Sequence, residues 1–198
     1  MTKTKQELTP TYLMIDIETL ATNTQAKVLQ VACIVADQEF NERQLFTFWL
    51  ETNCQGNRKS NHGTVLFHRN NGFTEKWQAA SRLHPRVVIN KINDLLSSLP
   101  SDILIYSYGL NFDIPILDSL GISVSTPLVI PQYRNLRCLR TEEATARRLG
   151  FNWQRPKATK HEALQDCVDQ LELLKQLNTF YRGIQLHVHD HANSKTNN

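Results

Sequence analysis

A chain of 198 residues with 40% hydrophobic content is long enough to bury a full core and short enough that one domain is the default. Its 22 Lys and Arg against 19 Asp and Glu leave a net charge of +3, too small to mark a polyanion-binding protein unless the charge is locally clustered. No run approaches the roughly 18 apolar residues of a membrane span, residues 1–10 lack the apolar stretch of a secretory signal, and Cys33, Cys54, Cys138 and Cys167 form no Cys-x-x-Cys pair, so a soluble intracellular protein with free thiols is expected.

Residues 1–11 read as a polar extension, and the first element is a strand over Tyr12–Ile17, a short run of strand formers following Thr9-Pro10-Thr11. Val28–Ala36 and Leu45–Leu50, separated by the polar turn Asp37–Arg43, predict two further strands joined as a hairpin. Asn53–Asn71 is rich in Asn, Gly, Lys and Arg and predicts a long surface loop leading to a short helix around Thr74–Ala80. After Pro85, the apolar positions Val88, Ile92, Leu95, Leu96 and Leu99 recur at three and four residues, the stripe of an amphipathic helix.

Ile103–Tyr108 predicts a strand, Asp113–Leu120 a short helix closed by Gly121, Leu128–Pro131 a brief strand and Thr141–Leu149 a helix. Leu164, Val168, Leu171, Leu174 and Leu177 mark a last long helix. Apolar patterning stops near Arg182, so residues 183–198, with His187, His189 and His191 alternating among polar residues, are expected to form a disordered tail. The domain then spans residues 12–182. Its element order fits an α/β fold with a mixed central sheet flanked by helices.

Three segments carry chemistry. In a strand, alternate side chains share a face, so Asp16 and Glu18 project together while Ile15 and Ile17 point the other way. Two carboxylates in one small space repel each other unless a cation or a proton joins them, and an all-oxygen donor set suits Mg²⁺ or Mn²⁺ better than zinc. Taken alone, the pair is also what a strand end meeting solvent would look like. Asp113 opens a helix just after a strand, where the helix N-terminus by itself would favour an acid by roughly 0.3–1 kcal/mol. His161 and Asp166 are five residues apart, about 140° of helical rotation, so they cannot share a helix face. His161 should therefore sit in the turn before the last helix, with Asp166 in its first turns.

Between Arg134 and Lys160 the chain carries eight basic residues against Glu142 and Glu143. The candidates for gripping a phosphate backbone are Arg137, Arg140, Arg155, Lys157 and Lys160, although a charge run is more often a solvated face. Phe151 and Trp153 are expected in the core rather than stacked on bases.

Asp16-Ile17-Glu18-Thr19, then Asn111-Phe112-Asp113, then His161-x-Ala163-Leu164-x-Asp166 resemble, in order and spacing, the three exonuclease motifs of the DnaQ-like, or DEDDh, superfamily. The match runs from about Tyr12 to Leu174. Within it the chain looks most like the exodeoxyribonuclease A family of T-even phages and its bacterial exoribonuclease relatives. Tyr108-Gly109, the aromatic stretch around Trp77 and Asn135-Leu136-Arg137-Cys138-Leu139 carry that likeness, with Asn135 and Cys138 as departures.

The resemblance implies a ribonuclease H-like fold and a 3′-to-5′ exonuclease with two ions, Mg²⁺ or Mn²⁺. Asp16, Glu18 and Asp166 would hold one ion, Asp16 would bridge to the second, Asp113 would support that second, and His161 would act as general base, a task suited to imidazole. The expected substrate is single-stranded DNA in preference to RNA, released as nucleoside 5′-monophosphates in the cytoplasm of a bacterial cell or phage-infected host. An exoribonuclease, or a non-catalytic nucleic-acid-binding module on the same fold, stands as the alternative.

Overall fold

The computed structural model describes residues 10–130, 132–154 and 161–195. Its frame is a six-stranded sheet in the order β4-β3-β2-β1-β5-β6. These strands are β1 (Pro10–Thr19), β2 (Val28–Asp37), β3 (Glu42–Leu50), β4 (Arg82–Leu83), β5 (Leu104–Ser107) and β6 (Leu136–Cys138). β1, β2 and β3 form an antiparallel meander, while β5 and β6 add in parallel beside β1. This is the mixed, helix-flanked sheet expected from the pattern. The tight hairpin between β2 and β3 has a local cause. The Asp37 carboxylate accepts from the backbone amides of Glu39 and Asn41 at 2.9 and 3.0 Å, and Arg43 pairs with it.

Two cores sandwich the sheet. Leu13, Ile15 and Ile17 of β1 pack with helices α3 (Pro85–Ser98) and α4 (Asp113–Ser123). Met14, together with Ala32 and Ile34 of β2, packs with α5 (Leu139–Arg148) and α6 (Ala163–Lys195). β2 is buried along its whole length because both of its faces are covered, which explains a sequence of near-continuous apolar residues instead of an alternating one. Among the described residues, no helix is long and apolar enough to cross a membrane.

Four expectations need correction. The segment expected as loop between 53 and 71 contains helix α1 (His62–Asn70), started by Asn61, whose side chain accepts from the amides of Gly63 and Thr64. Its apolar residues Val65, Leu66 and Phe67 are largely exposed, so it lacks the buried stripe that reveals a helix in sequence. A second short helix, α2 (Phe73–Ala79), follows.

Residues 128–130 are not a strand. Asn93 of α3 ties this segment down by bonding the Val129 amide and the Pro127 carbonyl, satisfying backbone groups that a ladder would otherwise take. The edge strand lies instead at β6. Gly121 does not close α4, which continues to Ser123. It is needed where the chain returns across the helix, since a Cβ there would collide with the Thr126 carbonyl oxygen. Finally, α6 continues past Arg182 to Lys195, so the tail expected to be disordered is helical through that point. Apolar periodicity reports burial, and residues 184–195 contain no Gly or Pro to stop a helix already nucleated upstream.

Candidate active site

The carboxyl end of β1 continues the alternation that places Met14 on the α6 side of the sheet, so Asp16 and Glu18 emerge on that side too. β5 runs parallel to β1, and the turn after it carries the chain past the end of β1 into α4. Phe112 and Asp113 both donate their amides to the Gly109 carbonyl, which puts Asp113 in the first turn of α4. Opposite them, α6 begins at Ala163, whose amide donates at 3.0 Å to Oε1 of Gln30, a side chain wholly buried on β2. That single bond pins the start of α6 to the sheet. His161 then lies just outside the helix and Asp166 in its first turn, the arrangement their spacing demands.

The result is a cleft of about 190 Å³ lined by Asp16, Glu18, Asp113, His161 and Asp166, together with Tyr108, Phe112 and Arg140. Glu18, Asp113 and Asp166 are buried, Asp16 keeps part of its surface open, and His161 is exposed. Glu18, His161 and Asp166 each offer a ligand atom within 4.8 Å of the others.

Electrostatically the cleft is frustrated. Burial, and then the charges of Asp113, Asp166 and Glu18, push the Asp16 carboxyl well above the ordinary carboxylate range. Burial lifts Asp113 to about 7. Four carboxylates converging in one desolvated space, with an imidazole at the rim, form a hard-donor set that a divalent cation fits. The raised carboxyls also predict an unusual stability profile. A folded value of about 7 against an ordinary 3.8 for Asp113 means the native state holds more protons than the unfolded state across that window. Metal-free stability should therefore fall as pH rises through it. Asp113→Asn is expected to flatten this fall and to raise the metal-free melting temperature at pH 8, which thermal melts at pH 5 and pH 8 with chelator present will check.

His161 is held from two sides. Its ring meets that of Phe67 of α1 edge-on, with centroids 4.7 Å apart, and the adjoining Glu162 pairs with Lys76 of α2. Beneath Phe67, buried His68 donates Nε2–H to the Thr19 carbonyl at 2.8 Å. Burial lowers its pKa, so its 3.9 Å approach to Glu18 is a contact with a neutral ring and not an ion pair.

The basic residues divide. Arg140 lines the acid cleft, lying 4.9 Å above the Tyr108 ring, whose hydroxyl donates to Glu143. Arg137 bonds the Leu136 and Arg134 carbonyls. Arg147 is engaged by Glu143 and the Trp153 carbonyl. Arg155, Lys157 and Lys160 lie outside the described residues, and so do the side chains of His187, His189 and His191. Phe151 packs on Phe180 with centroids 5.3 Å apart, and both it and Trp153 join the α6 core as expected.

The model of the 3′-5′ exoribonuclease Rv2179c-like domain matches residues 11–178. The chain belongs to this family. No curated protein matches it. Among solved structures, Escherichia coli exonuclease I in complex with a dT13 oligonucleotide superposes with a TM-score of 0.69 at 18% identity, over 92% of this chain and 44% of that one. An apo structure of exonuclease I gives 0.68 at 18%, over 95% and 47%. A moderately thermophilic exonuclease I from Methylocaldum szegediense gives 0.69 at 17%, over 85% and 40%. The chain thus spans less than half the length of these neighbours, with which it shares a fold. Family and fold both agree with the DnaQ-like resemblance of the motifs.

In this Rv2179c-like domain, several residues around the acids were not evident from the sequence. Phe67, His68 and Lys76 fall in or beside a segment without apolar periodicity, and Gln30 and Gln170 are polar residues within core elements. Only the polar interruption of the apolar run of β2 hints at one of them, Gln30.

Proposed function

We propose that the chain is a metal-dependent 3′-to-5′ exonuclease that releases nucleoside 5′-monophosphates from single-stranded nucleic acid, with RNA preferred over DNA. The observation that carries this is the convergence of Asp16, Glu18, Asp113, Asp166 and His161 on one cleft. Asp16, Glu18 and Asp166 would hold one divalent ion and Asp113, with Asp16, would support a second. Ions held there would supply a water of lowered pKa and charge neutralisation at the phosphate. The chain's own part is proton transfer and orientation. His161 takes the proton of the attacking water on a ring nitrogen, steadied by Phe67 and by the Glu162–Lys76 pair. Arg140 faces the phosphate from the rim of the cleft, its guanidinium held over Tyr108.

Beside the acids runs an open groove of about 410 Å³, lined by Thr22, Thr64, Phe67, Phe112 and His161 among others. In this reading the terminal nucleotide lies here, with its base against Phe67 or Phe112. Stacking of this kind contributes roughly 1–3 kcal/mol per base. Phe67→Ala is expected to raise KM about 5- to 100-fold, with a smaller loss of kcat from the loosened His161; steady-state kinetics on a short oligonucleotide will separate the two.

The family description favours RNA, and Thr22 and Thr64 supply hydroxyls able to bond a 2′-hydroxyl. The DNA reading has its own support in a fold neighbour bound to dT13, although that protein shares only 18% identity with this chain. Matched 5′-labelled RNA and DNA oligonucleotides, incubated with Mg²⁺ or Mn²⁺ and separately with chelator, test both. The expected result is a ladder shortening from the 3′ end, faster on RNA and absent with chelator. A faster ladder on DNA reverses the preference, and no ladder on either strand overturns the activity. Cleavage of a closed circular strand would mark an endonuclease instead.

A further inference from the structure

Gln170 stands one helical turn beyond Asp166 on α6, so both side chains face the sheet. It is buried, with 6% of its surface exposed. Its Nε2 donates to Asp16 Oδ1 at 2.7 Å, joining positions 154 residues apart. Its Oε1 is buried with no hydrogen-bond partner among the described residues. A buried amide satisfied at only one end is a poor stabiliser, because an unmet acceptor costs roughly 1–3 kcal/mol. An apolar side chain of the same length would fill the space at less cost. The amide is therefore explained by what it does for Asp16.

Asp16 is surrounded by three carboxylates that repel it. A free aspartate would relieve that repulsion by rotating away. A cationic partner would hold it but would cancel the charge that attracts a metal ion, and an acidic one would add to the repulsion. A neutral donor fixes one oxygen and leaves the charge intact. Asp16 and Gln170 both line a cavity of about 180 Å³, shared with Tyr108, Trp153, Asp169 and Leu173 among others, so open space lies beside the Asp16 carboxyl and packing alone does not restrain it.

We infer that Gln170 is a positioning residue: it locks the Asp16 carboxylate in one orientation and thereby sets the affinity of the acid cleft for its divalent cation. This rests on the nuclease reading above, and its test separates the two. Mn²⁺ is titrated calorimetrically into the full chain without nucleic acid, comparing the native protein with Gln170→Met, which keeps the unbranched stem and loses the donor, and with Gln170→Leu. Partners that orient metal ligands typically matter by 10- to 100-fold in affinity. Both variants are expected to bind Mn²⁺ that much more weakly, to melt no lower than the native chain in chelator, and to recover nucleotide release when Mn²⁺ is raised.

A folded Gln170→Met variant that binds Mn²⁺ as tightly as the native chain overturns the positioning role and leaves the nuclease reading standing. A native chain that takes up no Mn²⁺ overturns both. Failure of both variants to fold assigns Gln170 to the scaffold and also overturns the role.

Discussion

Asp16→Ala is expected to lower 3′-end hydrolysis on the order of 10³-fold or more while leaving a folded protein. Asp16 is central to the charge cluster, its carboxyl acted on by Asp113, Asp166 and Glu18 together, so in the proposed mechanism it serves both ions. Charge stabilisation by bound metal contributes several kcal/mol to such reactions, and each 1.4 kcal/mol or so is a factor of ten in rate. Single-turnover decay of a 5′-labelled RNA oligonucleotide is the direct measure. The same substitution removes a repelled carboxylate, so the metal-free protein should melt no lower than the parent. By contrast, the parent should gain in melting temperature when Mn²⁺ is added and the variant should gain much less. A cation at 100 times its dissociation constant stabilises by about 2.7 kcal/mol, which for a chain of this size corresponds to roughly 5–10 °C. Native-like turnover by Asp16→Ala would remove the acid cleft from the mechanism.

His161→Ala is expected to reduce kcat by about 10²- to 10⁴-fold, the usual contribution of a positioned general base, with KM changed only a few-fold. The split follows from where the residue sits. His161 is exposed at the rim, outside α6, whereas Glu18, Asp113 and Asp166 are buried in the elements that carry them. Removing it should spare the Mn²⁺-induced rise in melting temperature, which distinguishes loss of a base from loss of a metal site. Full activity in this variant would end the assigned role.

The strands and the helices α3 and α6 were legible because burial writes itself into sequence as a period. Continuous apolar residues mark β2, and Val88, Ile92, Leu95 and Leu96 mark α3. The acids and His161 were legible for another reason: strand alternation and helical rotation restrict which of them can meet. α1 was not legible, since it faces the site and solvent more than the core, and its Val65, Leu66 and Phe67 are more than a third exposed. β6 has three residues and is defined by its neighbour rather than by its own composition. Gln30 and Gln170 form long-range bonds whose partners no local pattern announces. The basic run was visible as charge but not as geometry, because whether an arginine reaches the cleft, as Arg140 does, or is engaged elsewhere, as Arg147 is, depends on Tyr108 and Glu143.

The bond from Gln30 to the start of α6 closes a span of 133 residues, and this has a bearing on biosynthesis. Chains emerge from the ribosome amino end first, at roughly 5–20 residues per second. Asp16, Glu18 and Asp113 leave the exit tunnel well before His161 and Asp166. Until Ala163 reaches Gln30, the cleft of the nascent protein lacks Asp166 and His161. Under the proposed function, hydrolysis therefore waits until residues 161–166 have been made and docked, and a shorter nascent chain holds only part of the site.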